Sequence, residues 1–162
     1  MPTGILKNIL ASRKVAAQLS AAPVHSAEVE FRENGAGTYS GSVTVPAGAT
    51  LLDVLVHAVA LWAAATSATM IVGDATDDDG IYVGVNLKAT DLLAGESLSF
   101  AQSGGKAGAD NIGTNTHWGR RYSAVDRVIT GKITSVGAGT AGRTRMTVVY
   151  TMPLGAAKVV TR

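Results

Sequence analysis

Four aspartates crowd the stretch ahead of a glycine: Asp74, Asp77, Asp78 and Asp79, then Gly80. Carboxylates this close could share a hard cation such as calcium, which takes roughly 6–8 oxygen ligands. A calcium loop of the EF-hand kind needs oxygens at its first, third and fifth positions before the glycine, and a bidentate Glu after it. Counting back from Gly80, Asp79 and Asp77 qualify. Ala75 stands where the first ligand belongs, and the downstream Glu is missing. The segment therefore reads as the polar turn of a β-hairpin, and no metal site is expected.

Other reactive groups are equally scattered. His25, His57 and His117 form no HxH or HxxxH pair, and the chain has no cysteine to complete a zinc site or act as a thiol nucleophile. His57 falls in an apolar run, where a core histidine bonded to backbone is expected. No GxSxG elbow occurs for Ser-His-Asp chemistry. Gly104-Gly105-Lys106 lacks the GxxxxGK[ST] frame of a phosphate loop. A carboxylate pair for glycoside cleavage could be assembled by any β-fold, but nothing in the spacing marks one. No enzyme and no cofactor is expected. Trp62 and the run Trp118-Gly119-Arg120-Arg121-Tyr122 suit a binding surface, because Trp and Arg concentrate in interfaces; a Trp plugging the end of a sandwich is the alternative.

The elements that would position these groups are strands. Tyr39, Gly41, Val43 and Val45 alternate with Ser40, Ser42 and Thr44, the period-2 signature of a half-buried strand. Val29 and Phe31 oppose Glu28, Glu30 and Arg32 in the same way, and Asn34-Gly35-Ala36-Gly37 between these two strands predicts an antiparallel hairpin. After Pro46-Ala47-Gly48-Ala49, the run Leu51–Thr66 reads as a long strand buried on both faces to about Leu61, with a helix as the alternative. Short strands follow at Met70–Val72, Ile81–Val85 and Ser97–Phe100, and Asp91–Gly95 suggests a single helical turn closed by glycine. Gln102–Trp118 reads as a long structureless loop with a contact role. Strands at Arg127–Val136 and Thr144–Met152 close the domain. The expectation is an all-β chain: an antiparallel β-sandwich or jelly-roll-like barrel of about seven or eight strands.

At 162 residues, one domain over 23–162 is expected, preceded by a docking arm at 1–22. In the arm, Ile5, Leu6, Ile9, Leu10, Val15 and Leu19 recur near helical spacing, with Lys7, Arg13 and Lys14 between them. These three cations also interrupt any signal-peptide core, so synthesis in the cytoplasm is expected. The longest apolar run, Leu51–Ala65, carries Asp53 and His57 and is shorter than the ~20 residues of a spanning helix. Charge is segregated along the chain. Residues 23–119 hold eleven acids against Arg32, Lys88 and Lys106, whereas residues 120–162 hold eight basic residues against Asp126 alone. Complementary faces between subunits explain this better than nucleic acid, since neither an aromatic stacking array nor a basic recognition helix is present.

The block Val45-Pro46-Ala47-Gly48-Ala49-Thr50, with Leu52-Asp53-Val54, Val56 and Ala68–Gly80, resembles a β-sandwich type found among virion structural proteins of tailed bacteriophages. The likeness spans about residues 39–100 and the closing strand from Gly142 to Pro153, and is nearest to small proteins that decorate or cement the capsid. It implies a virion location on the capsid surface, the major capsid protein as partner, and self-association, often as trimers. No cofactor, nucleic acid or membrane is implied. Expected contact residues are Ile5, Leu6, Ile9, Leu10 and Arg13 of the arm, with Trp118, Arg120 and Arg121. The alternative is a carbohydrate- or receptor-binding sandwich of a tail or fibre.

Overall fold

The computed structural model describes residues 23–111 and 120–152. Their regular structure consists of eight strands: β1 (Val24–Arg32), β2 (Gly37–Val45), β3 (Thr50–Ala60), β4 (Ser67–Gly73), β5 (Tyr82–Asn86), β6 (Ser97–Leu98), β7 (Arg127–Val136) and β8 (Arg143–Thr151). They form two antiparallel four-stranded sheets, ordered β1-β8-β3-β6 and β2-β7-β4-β5. The sheets are not closed into a barrel, so the sandwich is the form adopted. The arm 1–22 and residues 112–119 lie outside the described residues.

Alternation places the core between the sheets. Ile129, Gly131 and Ile133 of β7 face Met146 and Val148 of β8, with Val54, Val56, Met70, Val72, Tyr82 and Val85 completing a sealed interior. Burying such side chains stabilises the fold by about 25 cal/mol per Å2 of apolar surface, against the entropy of ordering the chain.

The predicted β1–β2 hairpin does not form. β1 pairs with β8 and β2 with β7, so residues 33–36 arch from one sheet to the other. The physical reason is Glu33. Its buried carboxylate accepts N–H bonds from Ala63 (2.9 Å), Ala141 (3.1 Å) and Gly142 (2.9 Å), fastening the arch to two neighbouring loops. Glycines at positive φ, Gly35 and Gly37, allow the turn as expected, but a turn does not specify which sheet receives the next strand. Among the described strands, β4 and β5 are the consecutive pair that forms a hairpin, around the acidic loop.

β3 is a strand to Ala60, but it is not buried on both faces. Leu52 is the extra residue of a bulge, because Leu51 pairs with Tyr150 and Asp53 with Val149. The bulge puts Leu51, Val54, Val56 and Ala58 inward and leaves Leu52 exposed. His57 consequently lies on the outer face, its Nδ1 2.5 Å from Ser97 Oγ, and is not the backbone-bonded core histidine expected. Asp91–Gly95 is likewise no helical turn. Glu96 N–H bonds Leu93 C=O at 3.0 Å across a β-turn with Gly95 at φ +90°.

Candidate functional site

A cluster of arginine–aspartate pairs lies beside the exposed apolar residues Tyr122, Val125 and Val128. Asp74 ends the β4 side of the acidic loop, and Arg127 begins β7. Arg127 Nε donates to Asp74 Oδ2 at 2.6 Å, and its Nη2 donates to Asp110 Oδ2 at 2.7 Å. Arg120 joins the same two carboxylates at 2.5 and 3.1 Å. Asp74 Oδ1 accepts N–H bonds from Thr76 and Asp77, which shapes the loop. Burial pushes the Asp74 carboxyl up, but the Thr76 N–H, the Arg127 guanidinium and the Asp77 N–H together outweigh it and hold it below its ordinary value.

Asp74 is therefore withdrawn from any cation-binding set. Asp77, Asp78 and Asp79 remain clustered, with ligand oxygens within 4.8 Å of one another. Asp78 pairs with Lys132 at 2.9 Å. A hydrogen bond that protonated Asp79 donates to the Asp77 carboxylate, helped by burial and the charges of Asp77 and Asp78, raises the Asp79 carboxyl above its usual range. The triplet is a self-repelling turn, and the two neighbouring glycines explain its shape. A Cβ at Gly73 would stand 2.0 Å from Asp77 O, and one at Gly80 would stand 3.0 Å from the Asp77 carboxylate.

Beside the ion-pair node runs a groove of about 300 Å3, lined by Asp74, Ala75, Thr76, Arg120, Tyr122, Ser123, Val125, Asp126, Arg127 and Val128. Tyr122 and Val125 are 63% and 69% exposed, more than other large apolar residues near them. An open, half-apolar groove with paired arginines can seat a protein surface. For catalysis the described residues offer the His57–Ser97 contact, yet no carboxylate partner is found there for the other imidazole nitrogen.

The expected contact residues are divided by the structure. Ile5, Leu6, Ile9, Leu10, Arg13 and Trp118 lie outside the described residues. Arg120 and Arg121 are adjacent but point apart: Arg120 reaches the Asp74–Asp110 node, while the Arg121 guanidinium lies 3.6 Å over the Phe100 ring and donates to Asn111 C=O at 3.2 Å. Trp62 plugs the sandwich end. Its Nε1 donates to Thr144 Oγ1 at 2.9 Å, and its ring packs edge-on to Tyr39. Arg143 and Arg145 pair with Glu30 and Glu28 across the outer face of their own sheet. The described part of the long loop is ordered by backbone bonds, Val83 N–H to Lys106 C=O and Gly108 N–H to Ile81 C=O, both 2.9 Å. Lys106 is held by Asp91 at 3.0 Å.

Sequence reasoning missed the Asp74–Asp110–Arg120–Arg127 node altogether. The available signal was charge alone, Asp110 on one side of the Asn111–Gly119 stretch and Arg120 and Arg127 on the other. Tyr122 falls in the Trp118–Tyr122 run expected to form a binding surface, whereas Val125 and Val128 carry no pattern that separates them from core valines.

No protein-family model matches this chain, and no curated protein matches it. Solved structures do. A chain in the acid-stable capsid structure of Helicobacter pylori bacteriophage KHP30 superposes with a TM-score of 0.56 at 17% identity, covering 82% of this chain and 90% of that one. A chain in the capsid asymmetric unit of cyanophage Pam1 gives a TM-score of 0.47 at 20% identity, covering 82% and 86%. The two-sheet sandwich described above is thus a fold that this chain shares with a component of a phage capsid.

Proposed function

We propose that this chain is a phage virion structural protein that decorates or cements the capsid by binding the major capsid protein lattice. The observation that carries this reading is the fold shared with the KHP30 capsid chain over 82% of this chain and 90% of that one. The groove beside Tyr122 and Val125 supplies a surface of suitable character, since aromatic and Arg side chains anchor interfaces. In this reading Trp118, Arg120 and Arg121 contact the shell. The arm, through Ile5, Leu6, Ile9, Leu10 and Arg13, lies across capsid subunits. The protein is made in the host cytoplasm and seats on the capsid surface as a homo-oligomer, where many weak contacts repeated over a symmetric shell add up.

The test is co-sedimentation of the purified chain with capsid shells assembled from the major capsid protein alone. Saturable pelleting of the full chain, and its loss on deleting residues 1–22 with the sheet circular-dichroism spectrum intact, is the expected result. A full chain that stays in the supernatant at every concentration overturns the proposal.

A further inference from the structure

Among the described residues, two of the sandwich's edges are long. β1 and β2, nine residues each, end their sheets on the same side, whereas the opposite edges are the short β5 and β6. A long edge presents a row of unpaired N–H and C=O groups, and natural proteins usually guard it with charge, proline or a bulge. β2 has none of these guards. Its sequence Gly-Thr-Tyr-Ser-Gly-Ser-Val-Thr-Val has no charged residue and no proline, and its pairing with β7 runs unbroken from Gly37 to Val45. Thr38, Ser40, Ser42 and Thr44 are all exposed on its outer face.

The same strand is self-complementary. An antiparallel partner with the same sequence, centred on Gly41, pairs all nine residues. Thr38 then faces Thr44, Ser40 faces Ser42 on the outer surface, and Tyr39 faces Val43 on the inner one. Hydroxyl–hydroxyl and aromatic–β-branched pairs are among the favourable cross-strand combinations, and the register keeps inner with inner. Gly41 at the two-fold axis lets the backbones approach. Its own inner side is already filled, since a Cβ there would stand 2.7 Å from Val29 Cγ2. β1 does not have this property: an antiparallel self-pairing centred on Glu28 or Val29 sets carboxylates against carboxylates.

We propose that β2 is a homodimer seam: a second copy of this chain adds antiparallel across the two-fold at Gly41, joining two four-stranded sheets into one of eight strands. This specifies the self-association included in the proposed function. Its test needs no capsid, so the two can fail separately.

The experiment is sedimentation equilibrium of the full chain and three charge variants, with circular dichroism confirming the fold of each. The wild type is expected at twice the 16.5 kDa of one chain. S40K/S42K places like charges opposite each other at two points across the axis, and should weaken the dimer about tenfold or more. S40E/S42K and S40K/S42E place opposite charges there, and both should retain the dimer. The second of these also controls for the neighbouring Lys132, which pairs with Ser40 in the ladder. A wild-type monomer, a trimer, an oligomer indifferent to S40K/S42K, or loss of the dimer in the opposite-charge variants overturns the proposal.

Discussion

Arg127 and Asp74 stand 53 positions apart in the chain, and their side chains, 9% and 7% exposed, meet at 2.6 Å. The contact ties the first residue of β7 to the end of β4 beneath the groove. It therefore sets the position of the groove's floor.

Asp74→Asn leaves the buried Arg127 short of one of its two carboxylates, and removing one partner of a buried pair is costly. Asp110 remains, so the expected loss is about 3 kcal/mol, at the lower end of the range for such pairs. The folded Asp74 carboxyl titrates below its ordinary value of 3.8. Its contribution is therefore fully present above that pH and fades as pH falls through the folded value. Urea unfolding of wild type and Asp74→Asn should give midpoints well separated at pH 7 that converge in strong acid.

Glu33→Ala strands three backbone N–H groups, those of Ala63, Ala141 and Gly142. The Gly142 amide is buried, whereas those of Ala63 and Ala141 reach solvent in part, so a loss of about 2 kcal/mol is expected, most of it from the unsatisfied Gly142 donor. Hydrogen exchange should quicken first at these three amides. Unchanged exchange there would show that the arch is held by something other than this carboxylate.

Gly131→Ala tests how tightly the two sheets meet. A Cβ at this inward position of β7 would lie 2.7 Å from Met70 Cε, 2.9 Å from Phe31 Cζ and 3.2 Å from Met146 Sδ. The methionine ends can shift, whereas the Phe31 ring is wedged against Gly41, so overpacking by about 1–3 kcal/mol is expected. Thermal unfolding measures it.

Asp79→Asn should stabilise. The wild-type carboxyl is raised by its Asp77 neighbour, so ionising it above its folded value works against the fold. The gain is expected within about 0.5 kcal/mol, as for surface changes generally. It should shrink in 1 M salt, where screening reaches about 3 Å, and as pH falls through the raised folded value, where the carboxyl takes up its proton.

The strands themselves were legible. Alternation at Tyr39–Val45, Arg127–Val136 and Thr144–Met152 is local, because successive side chains of an extended chain must point to opposite sides. The acidic stretch was legible as a hairpin for the same reason, aspartate and glycine being turn formers whatever surrounds them. The β3 reading succeeded as a strand and failed as a doubly buried one. A single extra residue, Leu52, changes which side chains face inward, and no residue type announces a bulge.

Residue order alone, then, settled that this molecule is built from strands and turns, since period and turn chemistry act over a few neighbouring residues. Tertiary structure decided which sheet each strand joins, that Trp62 takes the plugging one of its two expected roles, that His57 lies on the outer face, and that Asp74 belongs to arginines and not to a cation. Those outcomes depend on partners 30 to 113 positions away, such as Ala63 for Glu33 and Arg143 for Glu30. Contacts of that separation form when the two sheets close on a shared core, and no local pattern encodes them.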